Sequence, residues 1–398
     1  MESELQRIAA RALEERTSAH LLRRRRTVER ADSAHVVIDG RRFVNFSSND
    51  YLGISHHPKL TDAIAASVRE TGSGSGASGL MTGYSTAHAR AEGLIAAWKG
   101  TEGVVLLPSG YQANVAAIQA IAGAAVAAGR AVRFLMDKLV HASLIDAVRG
   151  CDQAYRVFGH NDLAKLSRLL NEHESAEQLQ VIVTESIFSM DGDAAKLAEI
   201  VALKQQHNAI LILDEAHGSG VYGPHGNGYA AEVGLTDQVD VFVVTLSKAL
   251  GCVGGAVCGS KSLCQLVENF SRAYIYSTAI PTFLAAAAEA SIQIMREEPQ
   301  RQQRVRQLAK QVRSTLALED FVLPPGDSPI IPIMIGTEED ALALSQHLHD
   351  QGLLVSAVRP PTVPKGSSRL RVTLSASHSD EQVQQLLSLI ISAKKKPM

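Results

Sequence analysis

Two ionisable residues in this sequence stand at the ends of apolar segments. Lys248 follows the apolar segment 239–247 and precedes a glycine-rich apolar stretch, and Asp214 ends the apolar run within 209–216. A lysine that loses contact with water favours its neutral amine, which can form a Schiff base. A buried carboxylate requires a cationic partner or several donors, and a protonated pyridine nitrogen would serve. His217, three residues after Asp214, can reach the same place.

Three further apolar segments end in residues suited to the same chemistry. Residues 109–112 (SGYQ) follow one of them, and a helix that begins there would offer free N–H groups to an anion. His141 lies shortly after the second segment, and Ser189 lies in the polar loop 187–193 after the third. An anion-binding turn, a histidine that can stack, a buried aspartate and a Schiff-base lysine are together the groups that pyridoxal phosphate requires.

Each of these residues also has a plainer interpretation when taken alone. Lys248 is typical of a lysine whose stem lies along apolar surface while its ammonium reaches solvent. Asp214 suits a residue that caps the following turn, and His141 suits a structural histidine. The functional hypothesis therefore depends on the whole set meeting at one place.

A glycine cluster at 72–83 contains the pattern G-x-G-x-x-G at 74–79 and suggests a second class of protein, a nicotinamide-binding α/β enzyme. That fingerprint should follow a strand and open a helix. The preceding segment, 58–70, instead has the composition of a helix. A glycine-rich loop at an active site is the better interpretation of the cluster.

The elements that must position these residues follow from hydrophobic patterning. Near-continuous apolar runs are typical of strands buried on both faces of a parallel sheet. The predicted strands are 103–108, 132–137, 180–186, 209–216 and 239–247. Helical segments such as 112–122 and 194–207 lie between them. This alternation predicts a doubly wound α/β domain with a large, mostly parallel sheet.

The two ends of the chain have a different pattern. The N-terminal part predicts a helix over 1–26 and a short hairpin around Gly40. After Pro281, a long helical segment over 282–318 precedes mixed strands and helices, which indicates an α+β arrangement. The expected division is an N-terminal arm over 1–45, a large domain over 46–285 and a small C-terminal domain over 286–398.

Composition excludes several other classes of protein. The 398 residues carry a net charge of -2, with 45% hydrophobic and 20% charged residues, which excludes disorder and gives no electrostatic reason to expect nucleic-acid binding. No segment reaches the roughly 18 to 20 continuous apolar residues of a membrane span. The acidic N-terminus lacks the pattern of a signal peptide. The four cysteines form no CxxC pair or zinc-like spacing, so we expect no metal site and a reducing, cytoplasmic compartment.

Three segments of this sequence resemble the α-oxoamine synthases, a family of fold-type-I pyridoxal-phosphate enzymes. They are Asp214–Gly218, Thr245–Lys248 and Phe188–Asp193, and the resemblance extends from Leu13 to about Ile390. It implies an α/β fold with a large cofactor-binding domain and a small C-terminal domain. It also implies decarboxylative condensation of an amino acid with an acyl thioester, in a homodimer whose active site lies at the subunit interface.

The resemblance implies roles for individual residues. Lys248 would hold the cofactor covalently and remove the substrate α-proton, Asp214 would keep the pyridine nitrogen protonated, and His141 would stack on the ring. The implied cofactor-binding residues are Gly110, Tyr111, His141, Ser189, Asp214, His217, Thr245, Lys248 and Thr278, the last reaching the partner subunit's phosphate. The implied substrate-binding residues are Arg23, Asn49, Thr362 and Arg371.

Two stretches favour one member of the family, which joins L-alanine to a pimeloyl thioester of coenzyme A or a carrier protein in biotin synthesis. They are Asn45–Gly53 and Arg359–Pro364. Asn227 and the segment Ala77–Leu80 depart from the sequences common among relatives, which bears on acyl specificity. Members that form 2-amino-3-ketobutyrate, 5-aminolevulinate or a sphingoid base are the nearest alternatives. A non-catalytic protein of this fold is disfavoured because the lysine, aspartate and histidine occur together.

Overall fold

A computed structural model of the protein describes residues 3–18, 21–23, 25–172 and 178–395. The strands are β1 (Glu29–Arg30), β2 (His35–Ile38), β3 (Arg41–Asn45), β4 (Gly103–Leu107), β5 (Val132–Asp137), β6 (Ala154–Phe158), β7 (Leu179–Glu185), β8 (Ile210–Asp214), β9 (Val241–Thr245), β10 (Gly255–Gly259), β11 (Ile330–Gly336), β12 (Leu353–Leu354), β13 (Ser356–Val358) and β14 (Ser368–Thr373). The helices are α1 (Glu4–Ser18), α2 (Pro58–Thr71), α3 (Thr86–Lys99), α4 (Gly110–Ala127), α5 (Ala142–Gly150), α6 (Leu163–Asn171), α7 (Leu197–Gln206), α8 (Tyr229–Glu232), α9 (Lys261–Phe270), α10 (Arg272–Ile275), α11 (Thr282–Glu297), α12 (Gln300–Leu318), α13 (Glu338–Asp350) and α14 (Asp380–Lys395).

The central sheet has seven strands in the order β4-β10-β9-β8-β7-β5-β6. Only β10 runs antiparallel to its neighbours, so the predicted mostly parallel sheet is confirmed. Successive residues face opposite sides of this sheet. Val181 and Val183 pack with the face that α4, α5 and α9 cover, whereas Ile182 packs with the face that α3, α6 and α7 cover. This two-sided burial explains why the strand sequences are almost continuously apolar.

Two smaller sheets join distant parts of the chain. In the first, with the order β1-β2-β3-β12, Leu353 and Leu354 pair in parallel with Val44 and Asn45 of the N-terminal hairpin. In the second, with the order β11-β14-β13, all three strands are antiparallel. The apolar segment 353–358 is therefore divided between the two sheets. The predicted small α+β region is confirmed. The N-terminal hairpin is attached to this region through the pairing of β3 with β12.

Two predicted helices differ from the structure. The helix expected over 1–26 ends at Ser18, and Leu21 and Leu22 are not helical, while residues 19, 20 and 24 lie outside the described residues. Helix α1 buries none of its side chains, so no tertiary packing extends it beyond its local propensity. The single helix expected over 282–318 is two helices, because Pro299 has no N–H and α12 starts directly after it.

Two strands of the central sheet were not predicted from the sequence. Strand β6 lies at the sheet edge with only Phe158 buried, so it lacks a continuous apolar run. The glycine-rich composition of β10 resembles a loop. All five of its residues are buried between β4 and β9. The four cysteines are free thiols, with Cys258 and Cys264 buried, as expected for packing residues. In the part of the chain that the structure describes, no helix is both long enough and apolar enough to span a membrane.

A buried ion pair fixes the loop that follows β8. Lys99 at the end of α3 and Glu215 are both almost completely shielded from solvent, and the lysine Nζ donates to a Glu215 carboxylate oxygen and to the carbonyl of Asn227. The other carboxylate oxygen of Glu215 accepts from the N–H of Ala230 at 2.8 Å. Because Glu215 directly follows Asp214, this pair holds the end of the strand that carries the aspartate.

A second network fixes the loop that follows β7. His160 lies between two carboxylates, with Nδ1 3.1 Å from Asp137 Oδ1 and Nε2 2.7 Å from Asp193 Oδ2. Burial alone would lower the pKa of His160, but the two carboxylates together raise it to about 10. The ring is therefore charged at neutral pH and joins the ends of β5 and β7 through the segment after β6.

Replacement of Lys99 by methionine keeps a long side chain but leaves the Glu215 carboxylate without its cationic partner. We expect the free energy of unfolding to fall by about 3–5 kcal/mol, the usual effect of removing one partner of a buried pair. Urea denaturation measures the change. The control is Arg7→Met, which removes half of an exposed pair with Glu4 and should leave the midpoint unchanged. Similar small changes in the two variants would contradict the assignment.

Replacement of His160 by glutamine tests the second network through its pH dependence. The folded pKa of about 10 lies above the ordinary value of 6.5. The stabilisation is therefore complete below pH 6.5 and is lost as the pH rises towards 10. The difference in unfolding free energy between wild type and variant should shrink across that range. His225→Gln, at an exposed histidine, is the control. A difference that does not vary with pH would refute the charged network.

Candidate active site

A cavity of about 210 Å³ lies at the carboxyl edge of the central sheet. Its lining comes from the start of α4, the start of α5 and the ends of β7, β8 and β9. Seven of the residues singled out in the sequence line it, namely Gly110, Tyr111, His141, Asp214, His217, Thr245 and Lys248. They meet there because the carboxyl ends of parallel strands share one edge of a sheet.

The amine of Lys248 is buried and contacts a neutral histidine. Its Nζ lies 2.9 Å from Nε2 of His217. Burial lowers the pKa of Lys248 to about 8, although the charges of Asp214 and Glu185 act in the opposite direction. Burial also holds the pKa of His217 well below its ordinary value, so that ring is neutral. A substantial fraction of the lysine is therefore neutral amine near physiological pH.

The carboxylate of Asp214 is held by two donors. Oδ2 accepts from Nδ2 of Asn114 at 2.7 Å, and Oδ1 accepts from the N–H of Ala216 at 2.8 Å. Asn114 also donates to Oγ of Ser143 at 2.9 Å, so the start of α5 orients it. Asn114 was not predicted from the sequence, although an asparagine in the first turns of an otherwise alanine-rich helix was a usable signal.

A second carboxyl group, that of Glu185, lies beside Asp214. The two residues are register partners on β7 and β8, and Glu185 is only 2% exposed. Burial, followed by the charge of Asp214, raises the pKa of Glu185 well above its ordinary value. Its Oε1 has no hydrogen-bond partner among the described residues. Glu185 was not predicted as a site residue from the sequence, although it is a glutamate that ends an apolar strand.

His141 and Tyr111 stand on the open side of the cavity. His141 caps α5, with Nδ1 2.7 Å from Oγ of Ser143. Desolvation lowers the pKa of His141, partly offset by the charge of Asp214. Tyr111 is 46% exposed, and its hydroxyl donates to Oδ2 of Asp146 at 2.6 Å.

Arg371 on β14 brings the small sheet to this site. Its Nε donates to the carbonyl of Ser189 at 2.7 Å, and both Nη atoms lie 3.3 Å from Oδ1 of Asn49. Nη1 also donates to Oγ1 of Thr373 at 2.9 Å. The guanidinium of Arg371 thus hydrogen-bonds both the loop after β7 and the loop before α2. It is 8% exposed, and its charge acts on Lys248.

Six predicted residues do not line the cavity, namely Arg371 and its hydrogen-bond partners Asn49 and Ser189, which lie beside it, and Arg23, Thr362 and Thr278. Arg23 and Thr362 come together from opposite ends of the chain, with Nη2 3.5 Å from Oγ1, but neither lines the cavity. Thr278 does not line it either and instead pairs through a backbone bridge with Ser78. The glycine cluster follows helix α2 rather than a strand, so the nicotinamide-binding interpretation is wrong.

The turn before α4 forms a close-packed cradle of backbone donors. Ser109 caps the helix by accepting from the N–H of Gln112 at 3.1 Å. A Cβ on Gly110 would lie 3.0 Å from the side chain of Thr245, and a Cβ on Gly255 would lie 2.4 Å from the carbonyl oxygen of Ser109. The two glycines allow this close approach, and the free N–H groups of the first helical turn suit a phosphate.

Comparison with curated proteins identifies relatives over nearly the whole chain. The family model for class I and II aminotransferases matches residues 41–390. The 8-amino-7-oxononanoate synthase of Methylococcus capsulatus is 41% identical over 96% of this chain and 97% of its own. The enzyme of the same name from Methylobacillus flagellatus is 39% identical over 95% of this chain and 93% of its own.

Solved structures show the same fold. Serine palmitoyltransferase of Sphingomonas wittichii superposes with a TM-score of 0.91 at 30% identity and covers 99% of this chain and 98% of its own. A serine palmitoyltransferase structure with PLP has a TM-score of 0.90. The 8-amino-7-oxononanoate synthase of Francisella tularensis has a TM-score of 0.76 at 25% identity and covers 89% of this chain and 98% of its own. The chain therefore belongs to the class I and II aminotransferase family of pyridoxal-phosphate enzymes, within its α-oxoamine synthase branch.

Proposed function

We propose that the protein is an 8-amino-7-oxononanoate synthase, which condenses L-alanine with a pimeloyl thioester and releases CO2 and the free thiol. The observation that carries the proposal is the meeting of Lys248 and Asp214 in one buried cavity, with the charge of Arg371 acting on the lysine from β14. Relatives near 40% identity over almost the full length bear that enzyme name and supply the substrate pair.

The residues around the cavity fit pyridoxal 5'-phosphate. The cradle before α4 suits the phosphate, the oriented carboxylate of Asp214 suits a protonated pyridine nitrogen, and the amine of Lys248 suits the aldehyde. When bound, the cofactor withdraws electrons from the bond that is broken at the amino-acid Cα. The raised pKa of Glu185 makes Asp214 the more readily ionised of the two adjacent carboxyl groups, which suits a cationic ring nitrogen.

Lys248 acts as the base that moves the α-proton of alanine. Its pKa of about 8 lies close to working pH, where a group can both accept and return a proton. Arg371 holds the substrate carboxylate through charge-assisted hydrogen bonds, with its guanidinium oriented by Ser189 and Asn49. His141 covers the open side of the cavity and excludes water from the reacting atoms.

The acyl donor is assigned to the exposed region around Arg23 and Thr362. These residues are held 3.5 Å apart by segments from the two ends of the chain. A guanidinium beside a hydroxyl suits the anionic groups of a thioester carrier. Coenzyme A and a carrier protein share these anionic groups, so the region suits a thioester of either one.

A homodimer accounts for Thr278, which lies outside the cavity of its own chain. Large apolar side chains near that segment are exposed, with Met81 at 77% and Tyr276 at 72%. Such a patch suits burial against a second copy, which would bring Thr278 to the partner's phosphate cradle. We also assign an arm at 1–45, a cofactor domain at 46–285 and a small domain at 286–398. The four free thiols suit the reducing cytoplasm.

Substrate pairs distinguish this function from those of other α-oxoamine synthases. We expect release of coenzyme A from pimeloyl-CoA with L-alanine, at a kcat/KM at least about tenfold above that of other pairs. The comparison pairs are glycine with acetyl-CoA or succinyl-CoA, and L-serine with palmitoyl-CoA. Turnover of one of these pairs without turnover of alanine and pimeloyl-CoA would overturn the proposal.

Replacement of Arg371 by lysine removes the planar, two-pronged guanidinium but keeps the charge. Loss of a hydrogen bond to a charged group costs about 1.5–3 kcal/mol, so KM for L-alanine should rise roughly 10- to 100-fold. The KM for pimeloyl-CoA should change much less. Arg304→Lys, at a surface pair with Asp380, is the control. An unchanged KM for alanine would exclude Arg371 from the carboxylate site.

A further inference from the structure

A line of buried polar contacts runs from Tyr51 to Lys248 through a histidine. The hydroxyl of Tyr51 lies 2.5 Å from Nδ1 of His217, and Nε2 of the same ring lies 2.9 Å from Nζ of Lys248. Tyr51 is 0% exposed, so its hydroxyl has no access to bulk water. The three side chains come from the loop before α2, the loop after β8 and the end of β9.

The distances around Tyr51 determine the direction of these hydrogen bonds. The hydroxyl of Tyr51 has one proton to donate, and its two neighbouring acceptors are Oδ1 of Asn49 and Nδ1 of His217. Asn49 Oδ1 lies 3.4 Å from the hydroxyl and already receives both Nη atoms of Arg371. Nδ1 of His217, at 2.5 Å, is therefore the acceptor. Burial raises the pKa of Tyr51 to about 12, so the hydroxyl keeps its proton.

The tautomer of His217 follows from this direction. A neutral imidazole that accepts at Nδ1 carries its one proton on Nε2. That N–H faces Nζ of Lys248. Nζ can accept this hydrogen bond only as a neutral amine, because an ammonium has no free lone pair. The opposite tautomer would present a lone pair at Nε2 and would favour the ammonium form.

We propose that Tyr51 is a positioning residue that fixes the proton of His217 on Nε2 and thereby favours the neutral amine of Lys248. This role deepens the proposed function and rests on it at one point, namely that the reaction uses the neutral amine of Lys248. The neutral form is the one that reacts with an aldehyde and the one that accepts a proton. Tyr51 thus acts through His217 and need not touch the substrate.

Other charged and titratable groups also face the Lys248 amine. From β8 and β7, the charges of Asp214 and Glu185 favour the ammonium, and from β14 the charge of Arg371 opposes it. His141, at the start of α5, is also within electrostatic reach. None of these four groups is substituted in Tyr51→Phe, so its comparison with wild type tests the loss of the tyrosine hydroxyl.

The test uses the full-length protein freed of cofactor and measures the pH dependence of Lys248 methylation by formaldehyde and borohydride, followed by peptide mass spectrometry. The wild-type midpoint should lie at about 8. In Tyr51→Phe the ring can turn to the other tautomer, and the midpoint should rise by about one unit or more. The matched control is Tyr222→Phe, at a buried tyrosine whose hydroxyl donates to Asp327 at 2.7 Å. Equal midpoints in all three proteins would overturn the proposal.

A second measurement needs no substitution at Tyr51 and covers the case in which Tyr51→Phe fails to fold. In protein labelled with 15N in its histidine rings, the resonances lost in His217→Asn identify the ring. They should report a neutral ring protonated at Nε2, and protonation at Nδ1 would overturn the proposal. Neither measurement involves alanine or a pimeloyl thioester. If alanine and pimeloyl-CoA are turned over but these two measurements give the contrary result, only the role of Tyr51 is rejected. If these measurements give the expected result but alanine and pimeloyl-CoA are not turned over, only the proposed function is rejected.

Discussion

Burial of the Lys248 amine is the constraint around which the site is organised. An ammonium removed from water is unstable unless it loses its proton or gains compensating charge. Here both occur in part, because desolvation lowers the pKa to about 8 while Asp214 and Glu185 limit the change. The amine is therefore poised between two protonation states at working pH. The surrounding structure has to keep water out and hold each neighbouring charge in place.

The neighbouring charges are held by groups that themselves touch no substrate. The pair formed by Lys99 and Glu215 anchors the residue after Asp214, and Asn114 orients the aspartate carboxylate from α4. His160 joins the segments after β5, β6 and β7, so the loop that contains Ser189 keeps its position. A low-dielectric interior makes these contacts strong, but it also makes any unpaired member costly.

The small sheet closes the site from the other side. Arg371 reaches it from β14, and the loop that carries Asn49 and Tyr51 continues from a hairpin whose last strand pairs with β12. The N-terminal and C-terminal parts of the chain thus approach the lysine together. The net charge of -2 for the whole chain does not report this arrangement, because the anions of substrate and cofactor meet a few individually placed cations.

The sequence by itself determined five of the seven strands of the central sheet and the residues at their carboxyl ends, because burial on both faces leaves a strong apolar signal. Lys248, Asp214 and His217 were identifiable for that reason. Glu185 and Asn114 were not, since their importance depends on which strand and helix lie beside Asp214, and Tyr51 depends on a contact 166 residues away along the chain. Local patterns also failed at α1, which buries no side chain and ends early, and at β10, where packing between β4 and β9 holds a glycine-rich segment in the sheet. Only the tertiary structure decided which donors and acceptors face one another, because hydrogen bonds depend on distance and direction in space and not on separation in sequence.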